Sequence, residues 1–157
     1  SNAYEYANYT KLRNETVFSF IFFAKSINNF DDDVRISKRI FIPSRKLRGF
    51  AAGKIGPKDS DDFIGGNYGT AMNLAATLPN FMKDLENIDF SLFLDTANVW
   101  GVDYNSSLDS NKIRSSTGIA IDWFTPIGPL SFSLASPITK SSTDETETFR
   151  FRIGTTF

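Results

Sequence analysis

Apolar and polar residues alternate with a period of two along most of the chain, and helical periodicity is almost absent. Residues 16–27 carry Phe18, Phe20, Phe22 and Ala24 on one face and Ser19 and Lys25 on the other. A shorter segment, 4–12, precedes them across Arg13-Asn14-Glu15. Further on, 68–78 places Tyr68, Thr70, Met72, Leu74, Ala76 and Leu78 on one side, and 88–99 does the same with Ile88, Phe90, Leu92 and Leu94. Residues 112–124 set Ile113, Thr117, Ile119, Ile121 and Trp123 against Arg114, Ser116, Gly118 and Asp122. Leu130, Phe132, Leu134 and Ile138 follow, and Phe149, Phe151, Ile153, Thr155 and Phe157 finish the chain. This pattern predicts an all-β protein.

The breaks between these runs are rich in Pro, Gly, Asn and Asp, as turns require. Thr125-Pro126-Ile127-Gly128-Pro129 reads as a tight reversal. Met82-Lys83-Asp84-Leu85-Glu86, between two strands, is long enough for one helical turn and no more. Residues 28–61 form a long irregular stretch.

Every charged residue of the clear strands (Lys25, Asp89, Asp95, Lys112, Arg114, Asp122, Arg150 and Arg152) falls opposite the apolar set. One face is therefore free of charge. In a transmembrane barrel that face meets lipid and the charged face lines a wet lumen, whereas in a soluble sandwich it meets a second sheet. No run of about 18 apolar residues exists for a spanning helix, but a spanning strand needs only about 9–11 residues of alternating character.

Composition narrows the chemistry. The chain has 157 residues, enough for one domain with a core, and no histidine or cysteine. His-based acid–base catalysis, Ser-His and Cys-His nucleophiles, thiolate zinc sites and disulfides are excluded. Sixteen Phe against two Trp load the chain with apolar surface, and a net charge of −1 names no polyanionic partner. Ser1-Asn2-Ala3 reads as the scar of a removed expression tag, so the fold is expected to begin at Tyr4, and no signal peptide is visible.

Residues 34–58 hold Arg35, Lys38, Arg39, Arg45, Lys46, Arg48, Lys54 and Lys58 and no acidic residue. Inside this run Arg48-Gly49-Phe50-Ala51 matches the opening of an RNA-recognition signature, but Ala52 stands where a second aromatic is needed, so no nucleic-acid partner is expected. The glycine-rich stretch 53–66 lacks the Lys-Ser/Thr ending and the helix of a phosphate loop. Asp59, Asp61 and Asp62, with Asp31 to Asp33, lack the ordered ligand ladder of a calcium loop, and no metal or other cofactor is expected. Asp89 and Asp95 lie roughly 20 Å apart along one strand, too far for joint acid–base work, and no catalytic residue is assigned.

Several short motifs follow one another along the chain: Arg48-Gly49-Phe50, Ile55-Gly56-Pro57, Gly65-Gly66-Asn67, Leu92-Phe93-Leu94-Asp95 with Asn98-Val99-Trp100, Trp123 to Ser133, and Phe149-x-Phe151-x-Ile153-Gly154-x-x-Phe157. Taken in this order, they resemble the carboxy-terminal part of the BamA family of outer-membrane β-barrel assembly proteins, the bacterial surface antigen family. The resemblance covers nearly all of the chain from Tyr4 onward. It implies an antiparallel up-and-down transmembrane barrel of which this chain supplies about the last seven strands of sixteen. The chain would then be a fragment with open edges, prone to associate with itself.

The same resemblance implies that residues 28–61 form an extracellular loop folded back into the lumen. Arg48 would sit at its tip, held by acidic residues on the inner wall, with Gly49 for the turn and Phe50 as an apolar anchor. Asp95 matches one wall position. Ala75 aligns where many relatives carry Glu, so the loop is expected to lean on Asp95, or on Asp89 and Asp122. Gly65, Gly66 and Asn67 would shape the turn leading into the next strand. Phe149, Phe151, Ile153 and Phe157 would form the terminal strand, both an assembly signal and one side of a seam that pairs with client strands. The implied partners are client outer-membrane proteins, assembly-complex lipoproteins and outer-membrane lipid. The implied location is integral in the outer membrane of a Gram-negative-type bacterium, and the chain would not be an enzyme. Two alternatives remain at this point: a translocation or secretion pore of the same superfamily, and a soluble β-sandwich that binds an anionic ligand through the basic loop.

Overall fold

The structure, a computed structural model, describes residues 1–29, 33–79, 86–109 and 111–154. Seven strands form one antiparallel sheet: β1 (Asn2–Lys11), β2 (Val17–Ser26), β5 (Tyr68–Leu78), β6 (Ile88–Trp100), β7 (Arg114–Thr125), β8 (Gly128–Thr139) and β9 (Phe149–Ile153). They lie in the order β1-β2-β5-β6-β7-β8-β9, each beside its neighbour in sequence. The two short strands left out, β3 (Lys58–Asp59) and β4 (Asp62–Phe63), pair only with each other inside the long loop between β2 and β5. This is the up-and-down order of a barrel wall, left open along β1 and β9.

The sheet is inside out relative to a soluble one. Its apolar parity is bare: Tyr4, Tyr6, Phe18, Leu92, Ile119, Leu134, Phe149 and Phe151 are among its exposed side chains, with Leu92 50% exposed. Its polar parity is covered, with Asn73, Asp95, Arg114 and Ser116 all buried. No second sheet covers the apolar face among the described residues; the only other sheet there is the two-stranded β3–β4 hairpin in the long loop. The sandwich alternative therefore lacks its defining partner. The long loop instead packs onto the polar face and builds the core there from Phe23, Ile42, Leu47, Phe50, Ile55, Ala71, Ala97 and Val99.

Strand limits depart from the sequence reading at a few points. β1 includes Asn2 and Ala3, which pair with Ser26 and Lys25, because a ladder joins backbone groups whatever side chains they carry. The loop between β2 and β5 runs to Asn67, beyond the expected limit at 61, because the β3–β4 hairpin and the Gly65-Gly66 turn belong to it. The reversal at 125–129 is tighter than expected: Thr125 already faces Gly128, leaving Pro126 and Ile127 as a two-residue turn. The helical turn expected at 82–86 lies outside the described residues except for Glu86. In β2 the inner parity also carries Phe23, buried by the loop, so this strand is apolar on both sides.

Candidate functional site: a loop tip fastened to the inner wall

The loop from Ile27 to Asn67 descends along the polar face of the sheet and turns at Arg48-Gly49. Gly49 adopts φ +88, and a Cβ there would stand 3.1 Å from the side chains of both Ala135 and Ser116. Left-handed backbone and close approach together call for glycine. Phe50, 1% exposed, enters the loop core, and the Arg48 side chain turns the opposite way, onto β6.

Arg48 meets Asp95 as a two-pronged fork. Its Nε donates to Oδ2 and its Nη2 to Oδ1, both at 2.7 Å, and its backbone N–H adds a third bond to Oδ2 at 3.0 Å. The Asn73 amide donates to Oδ1 at 2.9 Å, so four donors surround a carboxylate that is 0% exposed. The guanidinium also lies 3.5 Å from the ring centre of Phe93. A planar, always-charged fork suits both partners, as lysine would not. Ala75, the cross-strand neighbour of Phe93, packs against the cluster around that ring. Asp89 and Asp122 take no part in holding Arg48: they face each other across β6 and β7, and Asp122 accepts from Ser131. Asp95 is Arg48's carboxylate partner because its place in β6 brings it level with the loop tip.

Other groups hold the tip through its backbone. Asn73 Nδ2 donates to the Lys46 carbonyl at 2.8 Å, and Ser116 Oγ donates to the Arg48 carbonyl. Lys46 itself reaches Glu5 of β1 at 2.8 Å across the Phe23 ring. On the far side, Arg150 of β9 donates to the carbonyls of Ser44 and Phe50, both at 2.7 Å. Below the tip, Arg45, Arg48, Arg152, Glu5 and Asp122 border a polar recess of about 470 Å³. Among the described residues no group of three or more acidic side chains comes together to hold a metal ion.

The Omp85 superfamily domain matches residues 2–157. The chain belongs to the Omp85 superfamily. It is 32% identical over 140 residues to the outer membrane protein assembly factor BamA of Neisseria meningitidis serogroup B, a match covering 71% of this chain and 17% of that protein. It is 28% identical over 128 residues to BamA of Neorickettsia risticii, covering 79% of this chain and again 17% of the relative. The crystal structure of BamA from Haemophilus ducreyi lacking POTRA domains 1-3 superposes with a TM-score of 0.84 at 34% identity, covering 95% of this chain and 33% of that one. The chain thus spans well under half the length of the relatives it matches.

Elsewhere in this Omp85 domain the turn before β5 is close-packed. Ile40 and Gly66 exchange backbone hydrogen bonds at 2.7 and 3.0 Å, and a Cβ on Gly66 would come within 2.3 Å of the Trp100 carbonyl oxygen. Gly65 precedes it with φ +67. The Asn67 backbone links Ile27 and Gly101, and its amide reaches Asp103. Burial pushes the Asp103 carboxyl up, but the Asn67 amide, the Val34 N–H and the Arg39 guanidinium together hold it below its ordinary value. This corner therefore ties the loop to the chain just after β6 with one carboxylate.

In the terminal strand Phe149, Phe151 and Ile153 point outward and are exposed, with the Phe151 and Phe132 rings 4.9 Å apart. Phe157 lies outside the described residues. β9 has 5 residues against 12 in β8, its partner.

Sequence reasoning about this Omp85 chain missed three contributors. Asp144, on the loop between β8 and β9, forms a two-pronged pair with Arg114 at 2.9 and 3.0 Å, both side chains 0% exposed. Asn73 and Arg150 lie on the inner parity of their strands, and besides Asp95 and Glu147 they hold the loop carbonyls of Lys46, Ser44 and Phe50, which carry no sequence signal. The available hint was Arg114 itself, an arginine on an inner face with no acid nearby in its own strand.

Proposed function

We propose that this chain is the carboxy-terminal part of an outer-membrane barrel that folds and inserts client β-barrel proteins, with β9 bordering the seam where client strands pair. The fastening of Arg48 to Asp95 on the inner wall is the observation that carries this reading: it holds the long loop inside the wall while the apolar face stays bare for lipid. The kinship with proteins named as assembly factors supports it. The integral location in a Gram-negative-type outer membrane, the seam role of Phe149, Phe151, Ile153 and Phe157, and accessory lipoprotein partners belong to the same proposal.

The chemistry required is non-covalent. An unpaired strand edge at membrane depth leaves N–H and C=O groups without water, each costly until bonded. A client strand that adds to such an edge satisfies those groups by β-augmentation. No cofactor is called for.

The test is assembly of a client barrel into liposomes by the full-length protein. Arg48→Glu should cut client folding severely, and Asp95→Arg in the same chain should restore part of it. Normal client folding by Arg48→Glu would sink the proposal. A translocation pore, the alternative within the superfamily, would instead pass a substrate across the bilayer with no folded client left in it.

A further inference from the structure

We infer that residues 144–150 act as a strap joining the loop tip to the terminal strand, so that freeing one frees the other, with Arg150 as the positioning residue. The inference deepens the assembly reading and rests on it for its functional meaning, but the coupling itself is a property of the fold.

The strap begins at Asp144, which is locked to Arg114 and also accepts from the Ser141 N–H at 2.6 Å. From there the chain runs antiparallel to the loop just past its tip. Glu145 N–H donates to the Lys54 carbonyl at 3.1 Å, Ala51 N–H to the Glu145 carbonyl at 2.9 Å, and Glu147 N–H to the Gly49 carbonyl at 3.0 Å. Phe50 and Thr146 face each other at the centre of this small ladder. Thr148 then accepts from the Ala135 N–H at 2.8 Å, and the chain enters β9.

Arg150 closes the strap. Its Nη1 takes the Ser44 carbonyl, its Nη2 the Phe50 carbonyl, and its Nε and Nη2 grip Glu147, fixing the guanidinium from the strap's own side. One side chain of the terminal strand thus spans both flanks of the Arg48-Gly49 turn. A Lys there is a single point charge and could not bridge two carbonyls and a carboxylate in one plane. Because energetic coupling is reciprocal, loosening the tip must also loosen β9.

Hydrogen exchange on the full-length protein in lipid nanodiscs tests this without any client. Arg150→Gln should speed exchange in both 44–54 and 148–153 by about tenfold or more, leaving β5 and β6 unchanged, as expected for local rather than global opening. Arg48→Ala should speed exchange in 148–153 as well as in 44–54, although the hydrogen bonds of Arg48 go to Asp95 and Ser116 on β6 and β7. If either variant loosens only its own segment, the coupling is overturned. Should Arg150→Gln fail to fold, Glu147→Gln strips only the group that orients the guanidinium, and it should raise exchange in both segments by a smaller factor. An unchanged pattern there overturns the proposal too. Failure of the assembly reading would look different: client folding would survive Arg48→Glu whatever the exchange data say.

Discussion

At the scale of single residues, the inner wall stakes much on buried charge. Arg114 and Asp144 are both removed from water, and Arg114 also donates to the Asn98 side chain at 2.9 Å and the Lys112 carbonyl at 2.7 Å. Such a pair is weak evidence of net stabilisation, but leaving one member alone is costly, because the remaining charge is buried with nothing to answer it. Asp144→Ala should therefore lower stability by about 3–5 kcal/mol in urea unfolding from lipid, read by the shift in gel mobility between folded and unfolded barrel. The double change Arg114→Met with Asp144→Leu should cost far less. Equal losses from the single and double variants would show that shape, not charge, governs this site.

For an individual strand, the alternation makes neighbouring positions answer to different solvents. On β6, Leu92 points out and is exposed, whereas Ser91 points in and shares a hydrogen bond with Thr77 at 3.1 Å. Lysine at the bilayer midplane on the lipid side of a barrel costs about 2–4 kcal/mol, while the lumen tolerates it. Leu92→Lys should show that loss and Ser91→Lys less than about 1 kcal/mol, in the same unfolding measurement. A reversed order would mean that the faces are assigned the wrong way round. The same logic explains why β2 misleads a reader of sequence: its inner parity carries Phe23 because the loop core, not water, covers it.

Across the whole molecule, the sheet is an open arc with bare edges along β1 and β9 and a bare apolar face. Exposed edges pair with whatever strand they meet. The isolated chain should give heterogeneous, self-associated material in plain buffer and a β-rich species of defined size only in detergent micelles or liposomes, by circular dichroism and size analysis. A compact β-rich monomer in buffer alone would contradict the assignment of the outer face to lipid. The fastenings described above gather on the inner face, where Asp95, Asn73 and Ser116 meet the loop, and at the corner of Asn67 and Asp103.

The alternation along the chain by itself determined the all-β class, the number and limits of the long strands to within a few residues, and which side chains share a face, because a period of two ties each position to a side. Motif order added the family and pointed to Arg48 and Asp95. Which face would be bare and which covered was decided only in three dimensions, by the loop settling on the polar side. The partners of Arg150 were decided there too: Ser44 and Phe50 stand 106 and 100 residues earlier in the chain. They offer only backbone carbonyls, which every residue has. Asp144 likewise gains its meaning when the last hairpin brings it over Arg114. A sequence records side chains and their spacing, whereas these fastenings depend on where a long loop returns, and that is set by the packing of the whole wall.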